Sequence, residues 1–168
     1  MAIERAVADA FHMDERTWAR HANPWSVWTR YTVLPLLTAA VWSRAWLGWW
    51  ALVPVALAVA WTWVNPRLFA PPASTASWAS KAVLGERVWL NRAQVPVPPH
   101  HRRAPHVLSA VAAAGLPLVV WGLVRFEPWP LLLGCALVYA GKLWFLDRMV
   151  WLYQDMKDQH VEYRSWLY

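Results

Sequence analysis

Long apolar stretches alternate with short polar breaks along most of the chain. Four stretches can be drawn, at residues 24–46, 49–64, 105–124 and 130–147, and each has 16 to 23 residues. An α-helix rises 1.5 Å per residue, so about 20 residues cross a hydrocarbon layer of about 30 Å. The pattern predicts an all-α polytopic membrane protein, with about four transmembrane helices in two hairpins, forming a single membrane domain over residues 1–168.

Residues that favour helix ends mark the limits of these stretches. Asn23 followed by Pro24 is typical of a first helical turn, because the Asn side chain accepts from free amides and Pro fits the first helical position. Gly48 predicts a tight turn after the first stretch, and Arg44 just before it can extend its charge to the membrane interface. A break at residues 126–128 separates the last two stretches.

The segment before the first apolar stretch is predicted to be an amphipathic surface helix. In residues 1–22, Ile3, Val7 and Phe11 recur every four positions, with charged residues between them. One apolar face and one charged face are typical of a helix that lies on a bilayer.

The other two connecting segments are also predicted to lie at the membrane surface. The loop of residues 65–104 contains a short predicted helix at 77–84 and a proline-rich, polyproline-like stretch at 94–99. Residues 148–168 contain no proline or glycine and are predicted to continue the fourth helix as a helical tail.

The distribution of basic residues predicts the orientation. The chain has 16 Lys and Arg against 10 Asp and Glu, a formal charge of +6, and 14 of the 16 lie in residues 1–30, 65–105 and 142–168. Only Arg44 and Arg125 lie in the two hairpin turns. The positive-inside rule therefore places both termini and the long loop in the cytoplasm, with the protein as a multi-pass component of the cell (inner) membrane. No nucleic-acid recognition motif accompanies the basic excess.

Tryptophan is the most unusual feature of the composition. Hydrophobic residues make up 58% of the chain and charged residues 15%, and there are 16 tryptophans. Those near predicted helix ends, such as Trp25, Trp28, Trp49 and Trp50, are typical interface anchors. The same aromatic surface could instead pack against another membrane subunit, a quinone or a tetrapyrrole pigment.

Histidines are the first candidates for metal or pigment binding. His100, His101 and His106 cluster on the proline-broken loop, beside Arg102 and Arg103. Adjacent arginines disfavour a cation, so we expect an interfacial basic patch there and no metal site. His106 is the best candidate for a pigment ligand because it begins a membrane helix. Convergence of these histidines with an acidic residue on a metal would favour an enzyme.

Basic residues at the ends of the membrane helices are candidate contacts for lipid headgroups. We assign this role to Arg67, Arg102, Arg103, Lys142 and Arg148. Lys142 lies within the fourth stretch, about one turn from its end, so its stem can carry the charge to the interface.

Known catalytic patterns are missing. The sequence has no phosphate-binding glycine loop, nucleophile elbow, HExxH or paired-cysteine motif. The sequence therefore predicts a non-catalytic protein with no required cofactor.

Three runs of sequence resemble a known family. They are residues 23–30 (NPWSVWTR), 65–69 (NPRLF) and 142–149 (KLWFLDRM). They look like those of a family of small bacterial and archaeal integral membrane proteins of uncharacterised function. The resemblance implies a membrane fold and brings no catalytic residues.

Three functions fit these observations. The first is an accessory subunit that packs against a larger membrane complex, of which a photosynthetic reaction-centre and light-harvesting complex is one candidate host. The alternatives are a membrane enzyme acting on a lipid or isoprenoid and a small transporter. Because the four stretches contain almost no polar residues, the sequence favours the packing subunit.

Overall fold

The computed structural model describes residues 14–168, and this part of the chain is helical and contains no strand. Residues 1–13, with Ile3, Val7 and Phe11 of the predicted amphipathic helix, lie outside the described residues. The α-helices are α1 (Glu15–His21), α2 (Pro24–Arg30), α3 (Val33–Trp42), α4 (Arg44–Leu47), α5 (Leu52–Leu68), α6 (Trp78–Leu90), α7 (Ala104–Arg125), α8 (Pro128–Met156) and α9 (Val161–Ser165).

Helices α2 to α5 fold back on themselves as the first hairpin. Asn23 caps α2 by accepting from the Trp25 amide at 2.9 Å, as the sequence predicts. The chain reverses through α4 and Gly48, whose φ of 53° a side chain would oppose. On the returning limb, the Trp61 indole donates to the Thr32 hydroxyl at 3.2 Å and the Asn65 amide to the Thr29 hydroxyl at 2.8 Å, so α5 runs antiparallel to α2.

Helices α7 and α8 form the second hairpin and pack through glycines. A Cβ added at Gly134 would lie 2.7 Å from the Gly115 carbonyl oxygen, and one at Gly141 would lie 2.6 Å from the Ala112 amide nitrogen. Small residues spaced along both helices let the backbones approach closely, as in membrane helix pairs. Helix α8 continues past the expected end of the apolar stretch to Met156.

Three helical segments are long and apolar enough to cross a membrane: Pro24–Leu68, Pro99–Arg125 and Pro128–Met156. In the most apolar window of each, only 11%, 22% and 17% of the residues are buried. Apolar side chains therefore face outward along these segments. This arrangement is compatible with a membrane protein and is unfavourable in water.

The buried core lies where α6, the second half of α8 and α9 meet. Helix α6 packs against the second half of α8, where Val88, Met149 and Leu152 are fully buried, and Tyr163 of α9 closes this cluster. The predicted end of the loop helix at residue 84 is wrong, because α6 continues through Gly85 to Leu90. Gly85 is favourable at this position because, without a side chain, it lets the α6 backbone contact the α8 backbone at Met149.

Arg44 links the turn of the first hairpin to the end of α7 in the second hairpin. Arg44 was expected to extend toward the membrane interface. Its guanidinium instead donates to the carbonyl of Leu123 and, at 3.4 Å, to that of Val124, and it lies 4.3 Å from the centre of the Phe126 ring. These are among the last carbonyls of α7, which have no helical partner, so a cation is favourable there.

Candidate amphipathic binding site

A cavity of about 560 Å³ opens between the two hairpins and beneath α1 and α6. Its volume is within the range of about 300–1,000 Å³ that is common for small-molecule sites. Most of its wall is apolar, and a few charged or hydroxyl-bearing residues lie together on it. The polar and charged residues of the wall are His21, Arg30, Tyr31, Thr62, Glu86, Ser109, Tyr139 and Lys142.

His21 is held at the cavity by a buried hydrogen-bond chain. Arg30 Nη1 lies 3.3 Å from His21 Nε2, and because a guanidinium can only donate, Nε2 accepts. The proton of the neutral ring is therefore on Nδ1, which donates to Ser26 Oγ at 2.9 Å. Ser26 donates in turn to Asn65 Oδ1 at 3.3 Å, and Asn65 donates to Thr29 Oγ1 at 2.8 Å. This series of hydrogen bonds links α1, α2 and α5.

The environment keeps His21 neutral. The residue is 6% exposed, and its burial lowers its pKa from the usual value to about 3, with a further contribution from the positive charge of Arg30. Glu86 opposes the shift only weakly. At neutral pH the ring is a hydrogen-bonding group without charge.

Glu86 and Lys142 form an ion pair across the cavity wall. Lys142 Nζ lies 2.6 Å from Glu86 Oε1, and the Glu86 side chain is only 18% exposed. Burial alone would raise the pKa of Glu86, but the charge and hydrogen bond of Lys142 outweigh it and hold the pKa below its usual value. The pair is therefore ionised at neutral pH, and Lys142 remains half exposed beside the cavity.

Two tyrosines add hydroxyl groups to the same wall. Tyr139 donates its hydroxyl to the Tyr31 carbonyl at 2.6 Å, which joins α8 to the end of α2. The Tyr31 hydroxyl is buried and has no hydrogen-bond partner among the described residues. An unsatisfied buried hydroxyl is costly, and because Tyr31 lines the cavity, a ligand that reached this hydroxyl would supply the missing hydrogen bond.

Of the basic residues predicted to bind headgroups, Lys142 alone lies on the cavity. Arg67 donates to the Trp63 carbonyl at 2.6 Å and covers the Trp63 ring, and Arg148 pairs with Asp147 at 2.8 Å. Arg102 donates to the Val97 carbonyl at 3.1 Å, and Arg103 is exposed at the start of α7.

The tryptophans predicted as anchors are on the surface. Trp25, Trp28, Trp49 and Trp50 are between 50% and 87% exposed. Trp28 also stacks on Trp78 at 5.6 Å between ring centres, which packs α2 against α6. These positions suit either lipid or a partner protein.

The fold separates His106 from His100 and His101. His100 and His101 both approach Asp155 of α8, whereas His106 is exposed and lies 5.3 Å from the Trp89 ring, measured between ring centres. Nothing in the sequence linked Asp155 to these histidines, since the contact spans more than 50 residues.

The sequence analysis missed His21, Arg30 and Glu86 as site residues. A signal for Glu86 was available, because Val83, Glu86 and Leu90 are spaced three and four apart along α6 and share one face. A carboxylate on the apolar face of an amphipathic helix needs a buried partner. No such signal marked His21, whose neighbours come from distant segments.

Comparison with known proteins gives a family and no activity. No curated protein and no solved structure matches this chain. The sequence model of the family of unknown function DUF6653 matches residues 2–165. This confirms a family of uncharacterised function over nearly the whole chain and leaves its membrane character and its bacterial and archaeal occurrence as predictions. The chain belongs to the DUF6653 family of unknown function.

Proposed function

We propose that this protein is a four-pass membrane protein that binds an anionic, amphipathic lipid in the cavity between its two hairpins. One observation carries the proposal: the cationic and hydroxyl groups of Arg30, Lys142 and Tyr31 lie together on the wall of an otherwise largely apolar cavity. Such a site suits a molecule with a polar head and an apolar tail.

The geometry of the first hairpin supports four crossings. Pro24–Leu68 has 45 residues and would be about 68 Å long as one straight helix, more than twice the hydrocarbon thickness. Because it folds back at α4 and Gly48, each limb has a length close to one crossing. With the basic loops in the cytoplasm, as the charge distribution predicts, the polar wall of the cavity lies at the cytoplasmic face and its apolar part extends into the bilayer.

The charges on the wall favour an anionic head. Arg30 and Lys142 each contribute one positive charge, Glu86 contributes one negative charge, and His21 is neutral at pH 7. Among the described residues of the wall, two cations stand against one carboxylate, and the Tyr31 hydroxyl on the same wall can donate to a phosphate oxygen. A phospholipid phosphate and an isoprenoid phosphate share this chemistry.

Binding is better supported than catalysis. A general base works best with a pKa near the operating pH, and the pKa of His21 is about 3. Glu86 is ionised but already bound to Lys142. The groups on the wall therefore suit recognition of a head more than proton transfer.

We expect purified protein in detergent to retain phosphatidylglycerol, or a polyprenyl monophosphate, at least tenfold better than phosphatidylcholine of matched chain length. Native mass spectrometry of protein offered these three lipids measures the retention. The variant Arg30→Gln removes one positive charge from the wall and leaves the Glu86–Lys142 ion pair in place, and it should lose about tenfold in preference, equivalent to about 1.4 kcal/mol. Arg103→Gln, an exposed cation away from the cavity, is the matched control.

A second variant tests the contacts of the lipid tail separately from those of the head. Leu34→Trp fills the apolar part of the cavity and should abolish retention of all three lipids. If the wild-type protein retains phosphatidylcholine as well as either anionic lipid, the proposal fails. Retention of only one of the two anionic lipids identifies the source of the phosphate.

Accessory function in a larger membrane complex is the second candidate, and the hairpin tips favour it. Trp46, Trp49, Trp50 and Trp129 are each more than 75% exposed, and the contact of Arg44 with the end of α7 holds the two tips together. Clustered exposed tryptophans are typical of protein interfaces.

Mild-detergent purification at endogenous level tests this second function. We expect stoichiometric recovery with larger membrane subunits by mass spectrometry, and an absorption spectrum with pigment bands if the host is photosynthetic. The double variant Trp49→Ala/Trp50→Ala should reduce recovery of the partners, with Trp144→Ala as an exposed control on α8. Recovery of a small, isolated species from native membranes would contradict an accessory role.

A further inference from the structure

Three potential metal ligands converge where the long loop meets the end of α8. His100 Nε2 and His101 Nε2 lie 3.1 Å and 2.8 Å from the same oxygen of Asp155, Oδ2. One ligand atom from each residue can be chosen so that all three lie within 4.8 Å of one another. Ligand atoms around a tetrahedral Zn²⁺ lie roughly 3.3 Å apart, given bonds of about 2.0–2.2 Å. The cluster is therefore close to the spacing that a metal requires.

The two sides of this cluster are held by different elements. His100 and His101 belong to the 3₁₀ turn Pro99–His101, and Pro98 before it has an extended backbone, with φ −54° and ψ 145°. Asp155 lies in the last turn of α8 (Pro128–Met156). The His101 side chain is only 8% exposed, so its Nε2 is fixed toward Asp155 by the surrounding packing.

Exposure leaves room for a further ligand. The side chains of His100 and Asp155 are 65% and 42% exposed, so water can reach the cluster. Two imidazoles, one carboxylate and one open position form a common ligand set for Zn²⁺ with bound water. The neighbouring Arg102 is directed to the Val97 carbonyl and does not neutralise Asp155 in the described structure.

Hydrogen bonds to Asp155 also fit this arrangement, because a carboxylate oxygen can accept from two donors. Both rings would have to donate to one carboxylate oxygen, with their centres only 4.2 Å apart. A divalent cation between the three groups would be bound by both ring nitrogens and the carboxylate.

We propose that His100, His101 and Asp155 bind one divalent transition-metal ion, Zn²⁺ by its ligand set, which fixes the proline-rich loop to the end of α8. The site is separate from the lipid cavity, whose wall includes none of these three residues. The metal would hold the loop that leads into α7 and would keep one coordination position open to water.

Zinc binding by the full-length protein in detergent tests the proposal. The protein, purified without a histidine tag and stripped with a chelator, should bind one equivalent of Zn²⁺ by isothermal titration calorimetry. His101→Asn and Asp155→Asn should each weaken binding at least tenfold. His106→Asn and His160→Asn, which change exposed histidines outside the cluster, should bind as the wild type does.

Spectroscopy of the wild-type protein tests the metal site without relying on variants that could fail to fold. Co²⁺ in place of Zn²⁺ should give visible ligand-field bands of a four-coordinate site, and X-ray absorption should show two imidazole nitrogens per metal. The proposal is overturned if the stripped wild-type protein binds no stoichiometric Zn²⁺. Retention of full affinity by folded His101→Asn would overturn it as well.

Discussion

Gly85→Ala is expected to destabilise the protein by about 3 kcal/mol, because the added methyl group has no space. A Cβ at this position would fall against the carbonyl oxygen, carbonyl carbon and Cα of Met149, which are backbone atoms of α8 that cannot rotate away. The helices α6 and α8 would have to separate, and their shared core would open. Unfolding of the detergent-solubilised protein by increasing sodium dodecyl sulfate measures the change.

Whether Gly85→Ala lowers or raises the stability distinguishes close helix packing from helix propensity. In an isolated helix, alanine is more stable than glycine by about 1 kcal/mol, so helix propensity alone predicts a gain. Ala140→Val, which adds methyl groups to an exposed position of α8, serves as the control and should change stability by less than about 0.5 kcal/mol. A stabilised Gly85→Ala protein would mean that α6 does not pack closely on α8.

Acidification from pH 6.5 to pH 5 is expected to reduce the stability by about 2 kcal/mol through His21 alone. The folded protein holds this ring at a pKa of about 3, whereas the unfolded chain binds a proton near pH 6.5. The unfolded state therefore binds more protons between these two values. Stability is complete above pH 6.5 and is lost progressively as the pH falls toward 3.

Glu86 adds to this loss in a lower pH range. Its pKa is held below its usual value of 4.5, so its contribution is present above pH 4.5 and falls as the carboxylate is protonated. Measurements between pH 7 and pH 5 therefore exclude the contribution of Glu86.

Thermal unfolding of two histidine variants across this range checks the assignment. His21→Gln keeps a hydrogen-bonding side chain but cannot titrate, so its stability should be flatter with pH than that of the wild type. His160→Gln, at an exposed position, should retain the wild-type slope. Identical slopes for wild type and His21→Gln would exclude a buried neutral His21.

Much of the helical pattern could be predicted from local signals. Asn23 and Pro24 identified the start of α2, and the apolar stretch that opens at Pro105 corresponds to α7, which begins at Ala104 and ends at Arg125. Gly85 led to a wrong prediction of the end of α6, because glycine often follows the last residue of a helix. In the structure Gly85 lies within α6 and allows its backbone to approach that of α8 closely. That requirement comes from Met149, which no local pattern reveals.

The candidate sites depend on contacts between distant segments, and for this reason the sequence identified few of their residues. Lys142 was singled out because a charge within an apolar stretch is conspicuous. Its partner Glu86 lies 56 positions earlier, and the apolar spacing around Glu86 does not show which residue pairs with it. Likewise, the neighbouring arginines suggested that His100 and His101 form a basic patch, whereas the fold brings Asp155 to them.

The contact of Gly85 with Met149 has a consequence for biosynthesis. When Gly85 has been added to the growing chain, the half of α8 that covers it has not been made, and 64 further residues must be added to reach Met149. At 5–20 residues per second this takes roughly 3 to 13 s. Throughout that interval the first hairpin has been synthesised, while the apolar face of α6 is not yet covered by α8. Nascent chains stalled before Met149 should therefore be the form most exposed to chaperones and proteases.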